Sequence, residues 1–262
     1  FWIGILHTNA QNKLEVEQTP TSQLKENGFP QAVLKKEFKK VTKPINKAYG
    51  DTLYYEDFDS TGNSANNFLP NGWTVASNAN PAHVWIWSNS APGGQYSTAI
   101  GPLQSTSSSN GYLLLPSDLY NTPFPTGGPT LMDASVTSPQ ISIPATNAVA
   151  LKFERHSYYC CLSANSLLVE VSNDGITWTT YDIGAGSRSV PSPNPEIMEI
   201  DVSSTLGNQT SAYIRFRQTG ASHYFFMVDD VQLIEGRPPE YIAIQDYQLD
   251  LGGNFIYEPT YT

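Results

Sequence analysis

The sequence predicts an all-β sandwich, and three observations indicate it. Charged residues make up only 15% of the chain, aromatic residues make up 12%, and Gly and Pro each occur 19 times; long surface helices would need more Lys, Glu and Ala. From Thr52 onward, short apolar or alternating runs lie between clusters of Gly, Pro, Asn and Ser at spacings typical of a sandwich. The pair Asp174-Gly175 between two alternating runs predicts a type I′ hairpin turn, whose central residues both need positive φ.

The strand signals run through most of the chain and stop at two long polar stretches. Residues 89–110 and 117–132 are rich in Ser, Gly, Pro and Asn, which predicts surface loops of the kind that often carry binding sites. The predicted strands are 52–58, 72–76, 83–88, 111–116, 134–143, 148–158, 166–172, 176–182, 197–202, 211–218 and 224–234.

Both ends of the chain differ from this body. The apolar run Phe1–Leu6, followed by polar residues up to Ala10, is typical of the end of a signal peptide, so residues 1–10 are interpreted as its remnant and the protein as exported. This run is too short to span a bilayer. Residues 11–50 are rich in Lys and Pro, which predicts a linker or pro-segment.

The body is predicted to end near Gly236. The sequence Arg237-Pro238-Pro239 indicates a boundary, and residues 240–262 then alternate again. Residues 237–262 are therefore interpreted as a linker and the start of a further β module, which leaves 51–236 as the main domain.

Charge is distributed unevenly. Residues 1–50 hold eight Lys and four Glu, whereas residues 51–262 hold twenty Asp and Glu against six Lys and Arg. A body this acidic argues against nucleic acid or an anionic membrane as a partner, and leaves room for a bound cation.

Five short motifs occur in an order that resembles a known family. They are Phe58-Asp59 with Asn71-Gly72-Trp73, Asn110-Gly111-Tyr112, Ser138-Pro139 ahead of Leu151-Lys152-Phe153, Leu168-Val169-Glu170-Val171 with Gly175 and Trp178, and Val228-Asp229-Asp230-Val231. Together they resemble MAM-type domains and the cleaved-adhesin domains of Bacteroidetes surface proteins over about 58–236. The framework cysteines of vertebrate MAM domains are missing, for instance at Ala150, which favours the bacterial branch.

The resemblance implies a jelly-roll β-sandwich of the MAM or galactose-binding type at the cell surface or outside the cell. Proteins with such domains often leave the cell by type IX secretion. The implied function is adhesion or binding, with a polysaccharide or a surface protein as the ligand.

Four carboxylates predict a cation site. Asp57 and Asp59 lie at the first strand and Asp229 and Asp230 on the last, and these strands can be neighbours in a jelly roll. Ca²⁺ prefers six to eight hard oxygen ligands, so we expect a structural Ca²⁺ here. Alternation would place Asp57 and Asp59 on one face and Glu56 on the other. The resemblance implies that Asp59 and Asp230 are the main ligands; the alternative is that all four are exposed carboxylates at strand ends.

Aromatic residues supply candidate ligand contacts. Trp85 matches the core Trp of the family, whereas Trp87 could be an exposed platform for a sugar ring. Tyr224 belongs to a second aromatic cluster with His223 and is the other candidate, although core packing is an alternative for each of these residues.

Two further features concern covalent chemistry. Asp51-Thr52-Leu53 and Asp59-Ser60-Thr61 resemble the O-glycosylation motif of exported Bacteroidetes proteins, with Thr52 and Ser60 as acceptors. Cys160 and Cys161 are the two cysteines of the chain and are adjacent. Since neighbouring residues of a strand point to opposite faces, two reduced thiols are expected, and a disulfide to another chain is the alternative.

Catalytic motifs are missing from the sequence. It contains no H-E-x-x-H, G-x-S-x-G or G-x-x-x-x-G-K-[ST] pattern, although a Ser-His-Asp group assembled by folding stays open. The sequence therefore predicts a non-catalytic binding module stabilised by Ca²⁺. Two alternatives are an ancillary domain of a larger secreted hydrolase, such as a peptidase, and a structural subunit of a surface assembly that contacts other copies of itself or neighbouring modules.

Overall fold

The computed structural model describes residues 48–59, 69–123, 125–160, 166–185 and 187–237. The predicted signal remnant, most of the Lys-rich segment, the predicted C-terminal β module, Ser60 and Cys161 lie outside these residues. Residues Tyr49–Arg237 form one compact unit.

The unit is a sandwich of two antiparallel sheets, so the prediction of an all-β jelly roll is confirmed. The strands are β1 Thr52–Glu56, β2 Thr74–Ser77, β3 Ile86–Ser88, β4 Tyr112–Leu115, β5 Leu131–Thr137, β6 Ile141–Ser142, β7 Val149–Tyr158, β8 Ser166–Ser172, β9 Thr179–Asp182, β10 Glu196–Asp201, β11 Ser211–Ala221 and β12 Phe225–Glu235. The chain crosses between the two sheets several times, while the pairs β3–β4, β5–β6 and β8–β9 each stay in one sheet. Two short helices, α1 Ser117–Tyr120 and α2 Ser203–Leu206, lie in the connections.

Each sheet has six strands. The first has the order β10-β7-β12-β4-β3, with β1 also paired to β12, and the second has the order β2-β5-β11-β8-β9, with β6 also paired to β11. The first and last strands are therefore neighbours. Gly50 N–H donates to the Glu235 carbonyl at 2.9 Å and Glu235 N–H donates to the Asp51 carbonyl at 2.8 Å, so the chain enters and leaves the unit at the same end.

The main core lies between the sheets. Alternating residues of the long strands point inward, which buries Phe153, Phe216 and Phe226 completely. Trp85 is 1% exposed; its indole N–H donates to the Ala134 carbonyl at 3.2 Å. The prediction that Trp85 is a core residue is therefore confirmed.

A second apolar cluster lies on the outer face of the first sheet. It consists of Tyr112, Leu114, Phe225 and Met227 from β4 and β12, together with Leu103. Leu103 belongs to residues 89–110, and it is 1% exposed. This stretch, predicted as a surface loop from its polar composition, thus packs part of its length against the sheet.

Two local features differ from the sequence-based expectations. The predicted strand 134–143 is divided into β5 and β6, because Pro139 has no N–H for a ladder hydrogen bond. The β8–β9 hairpin has a longer loop than a two-residue type I′ turn. Asp174 accepts hydrogen bonds from the N–H groups of Ile176 and Thr177 at 2.8 and 2.7 Å, and β9 begins only at Thr179.

Candidate functional site

Asp229 and Asp230 lie where β12 changes neighbours. Residues Phe226–Val228 pair with β4, whereas Val231–Ile234 pair with β1. The register of β12 against β7 shifts between Asp229 and Gln232, and Asp230 has a φ of 49°. This irregularity places both carboxylates under the loop that precedes β4, where they are 0% and 2% exposed.

Serine groups of that loop hold the two carboxylates. Asp229 Oδ2 accepts hydrogen bonds from the hydroxyls of Ser105 and Ser107, at 2.5 and 3.3 Å. Asp230 accepts from the Ser107 N–H at 3.0 Å and from the Tyr55 hydroxyl. Burial raises the pKa of Asp229 to about 8, since desolvation disfavours the charged form.

Asp57 and Asp59 occupy a different position from the expected one. β1 ends at Glu56, so the expected alternation does not extend to them. Asp57 contacts the same loop, where it accepts a hydrogen bond from the Asn110 amide at 3.0 Å. Asp59 is exposed, and its N–H donates to Asp57 at 3.3 Å.

Glu56 is the buried carboxylate of β1. It is 4% exposed and accepts hydrogen bonds from the Asn71 amide at 2.9 and 3.0 Å and from the Phe58 N–H at 2.9 Å. These donors hold Glu56 in place and occupy its oxygens. Phe58 and Asn71 of the sequence motif Phe58…Asn71-Gly72-Trp73 therefore bind the Glu56 carboxylate and connect β1 to the following turn.

The groups around Asp229 meet only part of what a cation needs. Asp229 Oδ1 is buried and has no hydrogen-bond partner among the described residues, so it offers a free hard oxygen. Within the described ranges, however, no group of three or more Asp, Glu, His or Cys side chains is arranged to hold a metal ion. The oxygen atoms that lie together here are those of Asp229, Asp230 and the Ser105 and Ser107 hydroxyls.

A small cleft lies between loops near the start of β12. This cleft, named here the Tyr96–His223 cleft, has a volume of about 110 Å³. Its lining residues are Gly94, Gln95, Tyr96, Asp118, Leu119, Asn121, Thr122, Pro123 and His223. Both stretches predicted as binding loops, 89–110 and 117–132, contribute to it.

Aromatic rings form one side of the cleft. The Tyr96 ring is 43% exposed and lies 4.5 Å from the His223 ring, measured between centroids, at an interplanar angle of 60°. Next to it, Tyr224 stacks on Tyr158 with centroids 3.5 Å apart. The hydrogen bond that the Tyr224 hydroxyl donates to Tyr158, together with burial, raises the pKa of Tyr224 to about 12, so this hydroxyl stays protonated at neutral pH.

Asp118 forms the polar floor of the cleft. Its Oδ2 accepts hydrogen bonds from the N–H groups of Tyr96 and Ser97 at 2.6 and 2.8 Å, and the residue is 3% exposed. Gly94 allows this close approach, because a Cβ atom there would lie 2.5 Å from Asp118 Cγ. Asp118 Oδ1 and His223 Nδ1 have no hydrogen-bond partner among the described residues.

Trp87 is packed more closely than an exposed platform would be. It is half-buried, its indole N–H donates to the Phe58 carbonyl at 3.0 Å, and its ring lies against Gly111. Tyr224 lies beside the cleft, so it is the better placed of the two predicted ligand contacts. Thr52 is exposed at the start of β1, and its glycosylation stays a prediction.

Sequence reasoning missed the central residues of the cleft. Tyr96 and Asp118 lie in loops without a motif, and only the folded chain brings them beside His223. The one available signal was the polar, Gly-rich composition of both loops.

Folding also places a serine beside a histidine. Ser192 Oγ lies 3.4 Å from His156 Nδ1, but the same nitrogen lies 3.1 Å from the Pro193 carbonyl oxygen, and both side chains are buried. The His156 ring packs 4.9 Å from Phe225. This geometry is that of a packed, hydrogen-bonded histidine and gives a substrate no access to the serine.

The expectation of two reduced thiols is wrong for Cys160, which is disulfide-bonded. Cys161 is the one other cysteine in the sequence. Strand β7 ends at Tyr158, so Cys160 lies beyond the regular strand in which neighbouring side chains diverge.

Comparisons with solved structures find likenesses to adhesin domains and carbohydrate-binding modules. The K1 cleaved adhesin domain of Lys-gingipain from Porphyromonas gingivalis W83 has 18% identity, a TM-score of 0.42, and coverage of 71% of this chain and 99% of that one. The galactotriose complex of TmCBM61 has 10% identity, a TM-score of 0.39, and coverage of 65% and 99%. The CBM22-1 xylan-binding domain of Paenibacillus barcinonensis Xyn10C has 12% identity, a TM-score of 0.34, and coverage of 73% and 99%.

The sequence itself matches no protein-family model and no curated protein. With identities below 20% and TM-scores below 0.5, the three structural likenesses assign neither a family nor a ligand to this chain. Among the described residues, no helix is both long and apolar enough to cross a membrane.

Proposed function

We propose that the unit Tyr49–Arg237 is a non-catalytic extracellular module that binds a polysaccharide, and that Ca²⁺ stabilises it. The observation that carries the proposal is the Tyr96–His223 cleft. It combines an exposed aromatic ring with buried polar atoms that lack a partner among the described residues. Ligand sites typically pair apolar or aromatic walls with a few fixed polar groups.

The cleft is suited to binding and not to hydrolysis. A glycosidase needs two carboxyl groups about 5–10 Å apart across the scissile bond. Asp118 is the one carboxylate among the residues that line the cleft, and two backbone N–H groups hold it. This arrangement favours recognition over glycoside hydrolysis in the cleft, and it leaves open the alternative that the unit is an ancillary domain of a larger secreted hydrolase.

Polysaccharide binding is tested with the full chain by affinity electrophoresis in gels that contain β-1,4-galactan, xylan or no polysaccharide. We expect one of the polysaccharides to retard the protein. Tyr96→Ala should weaken the retardation about tenfold, since loss of a stacking ring costs about 1.4 kcal/mol. Tyr49→Ala is the matched control, because Tyr49 is 44% exposed against 43% for Tyr96 and lies outside the cleft.

Three results would bear on this proposal. Retardation lost in Tyr96→Ala and kept in Tyr49→Ala supports it. Retardation that is equal in both variants would overturn the assignment to the cleft. No retardation by either polysaccharide would overturn polysaccharide binding and favour a surface protein as the ligand.

The Ca²⁺ part of the proposal rests on the buried Asp229 and Asp230. An ion bound only by the folded state stabilises it by about 2.7 kcal/mol at one hundred times its Kd. For a unit of this size, that raises Tm by roughly 5–10 °C. Ca²⁺ would tie β12 to the loop before β4 and would keep Asp229 ionised.

The Ca²⁺ proposal is tested by thermal melts in EDTA and in 1 mM Ca²⁺. The double variant Asp229→Asn/Asp230→Asn keeps the side-chain shapes, and Asn tolerates the positive φ of residue 230. We expect this variant to lose the rise in Tm. Asp201→Asn, which changes an exposed carboxylate of β10, should keep it. A rise of unchanged size in the double variant would exclude this pair as ligands, and the same comparison with Asp57→Asn and Asp59→Asn tests the other two predicted ligands.

A further inference from the structure

We infer that the Tyr96–His223 cleft takes a single uncharged sugar residue at a chain end and discriminates against sugars that carry a carboxylate or sulfate. This inference rests on the proposed polysaccharide binding and specifies the chemical class of the ligand. It follows from the hydrogen-bonding character, the charge and the size of the cleft.

The floor of the cleft holds a hydrogen-bond acceptor, the Asp118 carboxylate, so a ligand would have to supply the donor. An ionised carboxylate can only accept, and Asp118 Oδ1 is buried with no partner in the described part of the chain. A buried acceptor without a donor costs free energy that a ligand hydroxyl recovers. A sugar ring offers several hydroxyl donors at once, so it fits this floor.

The position of that acceptor is fixed before the ligand arrives. The N–H groups of Tyr96 and Ser97 hold Asp118 Oδ2, and the backbone at Gly94 lies directly against the carboxylate. The Asp118 N–H also donates to the Tyr224 carbonyl at 2.8 Å. The carboxylate is therefore held in one position before a ligand arrives, which lowers the entropic cost of binding.

The charge of the residues that line the cleft disfavours acidic sugars. No Lys or Arg belongs to the nine residues that line the cleft, and Asp118 contributes a carboxylate. The chain as a whole has a net charge of −10. A uronic acid or sulfated sugar would place a second negative charge near the Asp118 carboxylate without a Lys or Arg among the lining residues to offset it.

The small volume of the cleft favours the end of a sugar chain as the ligand. Pockets that enclose drug-sized ligands have volumes of about 300–1,000 Å³, whereas this cleft has about 110 Å³. It has room for part of one sugar ring placed against Tyr96, and not for several consecutive sugars. The rest of a glycan would extend over the surface beside the Tyr158–Tyr224 stack.

The test is isothermal titration of the full chain with the methyl glycosides of galactose, xylose and glucose and with methyl galacturonide. We expect at least one neutral glycoside to bind and to compete with the polysaccharide that retards the protein. Galacturonide should bind at least about tenfold more weakly, as expected for an uncompensated buried charge.

Asp118→Asn provides a second readout. The Asn carbonyl can still accept from Tyr96 and Ser97, while its amide replaces the free acceptor with a donor. We expect about tenfold weaker binding of the neutral glycoside and a smaller preference for neutral sugar over galacturonide. Asp201→Asn removes the same charge far from the cleft and should change neither value. A melt within a few degrees of wild type establishes that Asp118→Asn is folded, and Tyr96→Ala replaces it if it is not.

The outcomes separate the inference from the proposed function. If polysaccharide binding depends on Tyr96 but none of the methyl glycosides binds or competes, the chain-end inference fails and the proposed function stands. If galacturonide binds as well as the neutral glycosides, the charge argument fails. If none of the polysaccharides or glycosides binds, both are overturned.

Discussion

The indole ring of Trp87 lies directly against Gly111. A Cβ atom at residue 111 would approach ring atoms of Trp87 to 2.3–2.4 Å, and Gly111 has a φ of 100°. The turn that leads into β4 and the Asn110 side chain that contacts Asp57 both depend on this close approach. Trp87 thus has a packing role beside the carboxylate cluster.

We expect Gly111→Ala to destabilise the unit by about 2–4 kcal/mol, because it combines overpacking with a strained φ. Denaturant unfolding of the two proteins measures the difference. Gly101→Ala is the matched control, since its Cβ would meet nothing within 4 Å and its φ is not positive. Equal effects of the two substitutions would contradict the packing role of Trp87.

His156 should make stability depend on pH. Burial lowers the pKa of His156 below its usual value of 6.5. Below pH 6.5 the unfolded chain binds more protons at His156 than the folded chain does. The free energy of unfolding therefore decreases as pH falls from 6.5 toward the lowered pKa of His156. We expect unfolding free energies measured between pH 7.5 and 5 to fall less steeply in His156→Gln. Identical slopes would show that His156 does not contribute.

On the outer face of the second sheet, the shielded carboxylate of Glu170 is paired with two arginines. Glu170, whose side chain is 5% exposed, lies beneath Arg215, and Arg217 Nη1 lies 3.6 Å from its Oε1. We expect Arg215→Ala to cost about 1–3 kcal/mol, less than for a fully buried pair because the Arg215 side chain is 23% exposed.

A double-mutant cycle checks this expectation by denaturant unfolding. Arg215→Ala combined with Glu170→Ala should cost less than the sum of the single substitutions, because no unpaired carboxylate is left behind. Arg237→Ala, an exposed arginine at the edge of the unit, should change stability by less than about 0.5 kcal/mol. Strict additivity in the cycle would argue against coupling between the two residues.

The disulfide at Cys160 has a simple test. Because Cys161 is the one other cysteine of the chain, we expect the oxidised protein to have no thiol that reacts with iodoacetamide. The intact mass should rise by two alkyl groups only after reduction. A disulfide-linked dimer on a non-reducing gel would instead show that the bond joins two chains.

The sequence was informative where local patterns determine structure. Alternation in 148–158 and 211–218 predicted β7 and β11 well, since apolar residues such as Leu151, Phe153, Ile214 and Phe216 recur at every second position and are buried. It was less informative where one side chain redirects the backbone. Asp174 captures two N–H groups and lengthens a hairpin, and the position of Asp230 depends on a register shift that no periodicity signals.

The candidate sites follow the same division. Asp229 and Asp230 were identified from a sequence motif. The cleft, in contrast, brings together residues more than 100 positions apart, such as Asp118 and His223. Contacts at that separation depend on the topology of the two sheets. The composition of the loops indicated where a site could form, but not which of their residues would meet.

The pairing of β1 with β12 also determines how the unit responds to mechanical load. The two strands are antiparallel, and the chain enters at Tyr49 and leaves at Arg237, whose guanidinium lies 4.8 Å from the Tyr49 ring. A pull on the two chain ends would therefore load the hydrogen bonds of this pair one after another, as in unzipping, and not all at once, as in shear. The sandwich would open from the Tyr49 end at low force, before tension reaches the loops of the cleft.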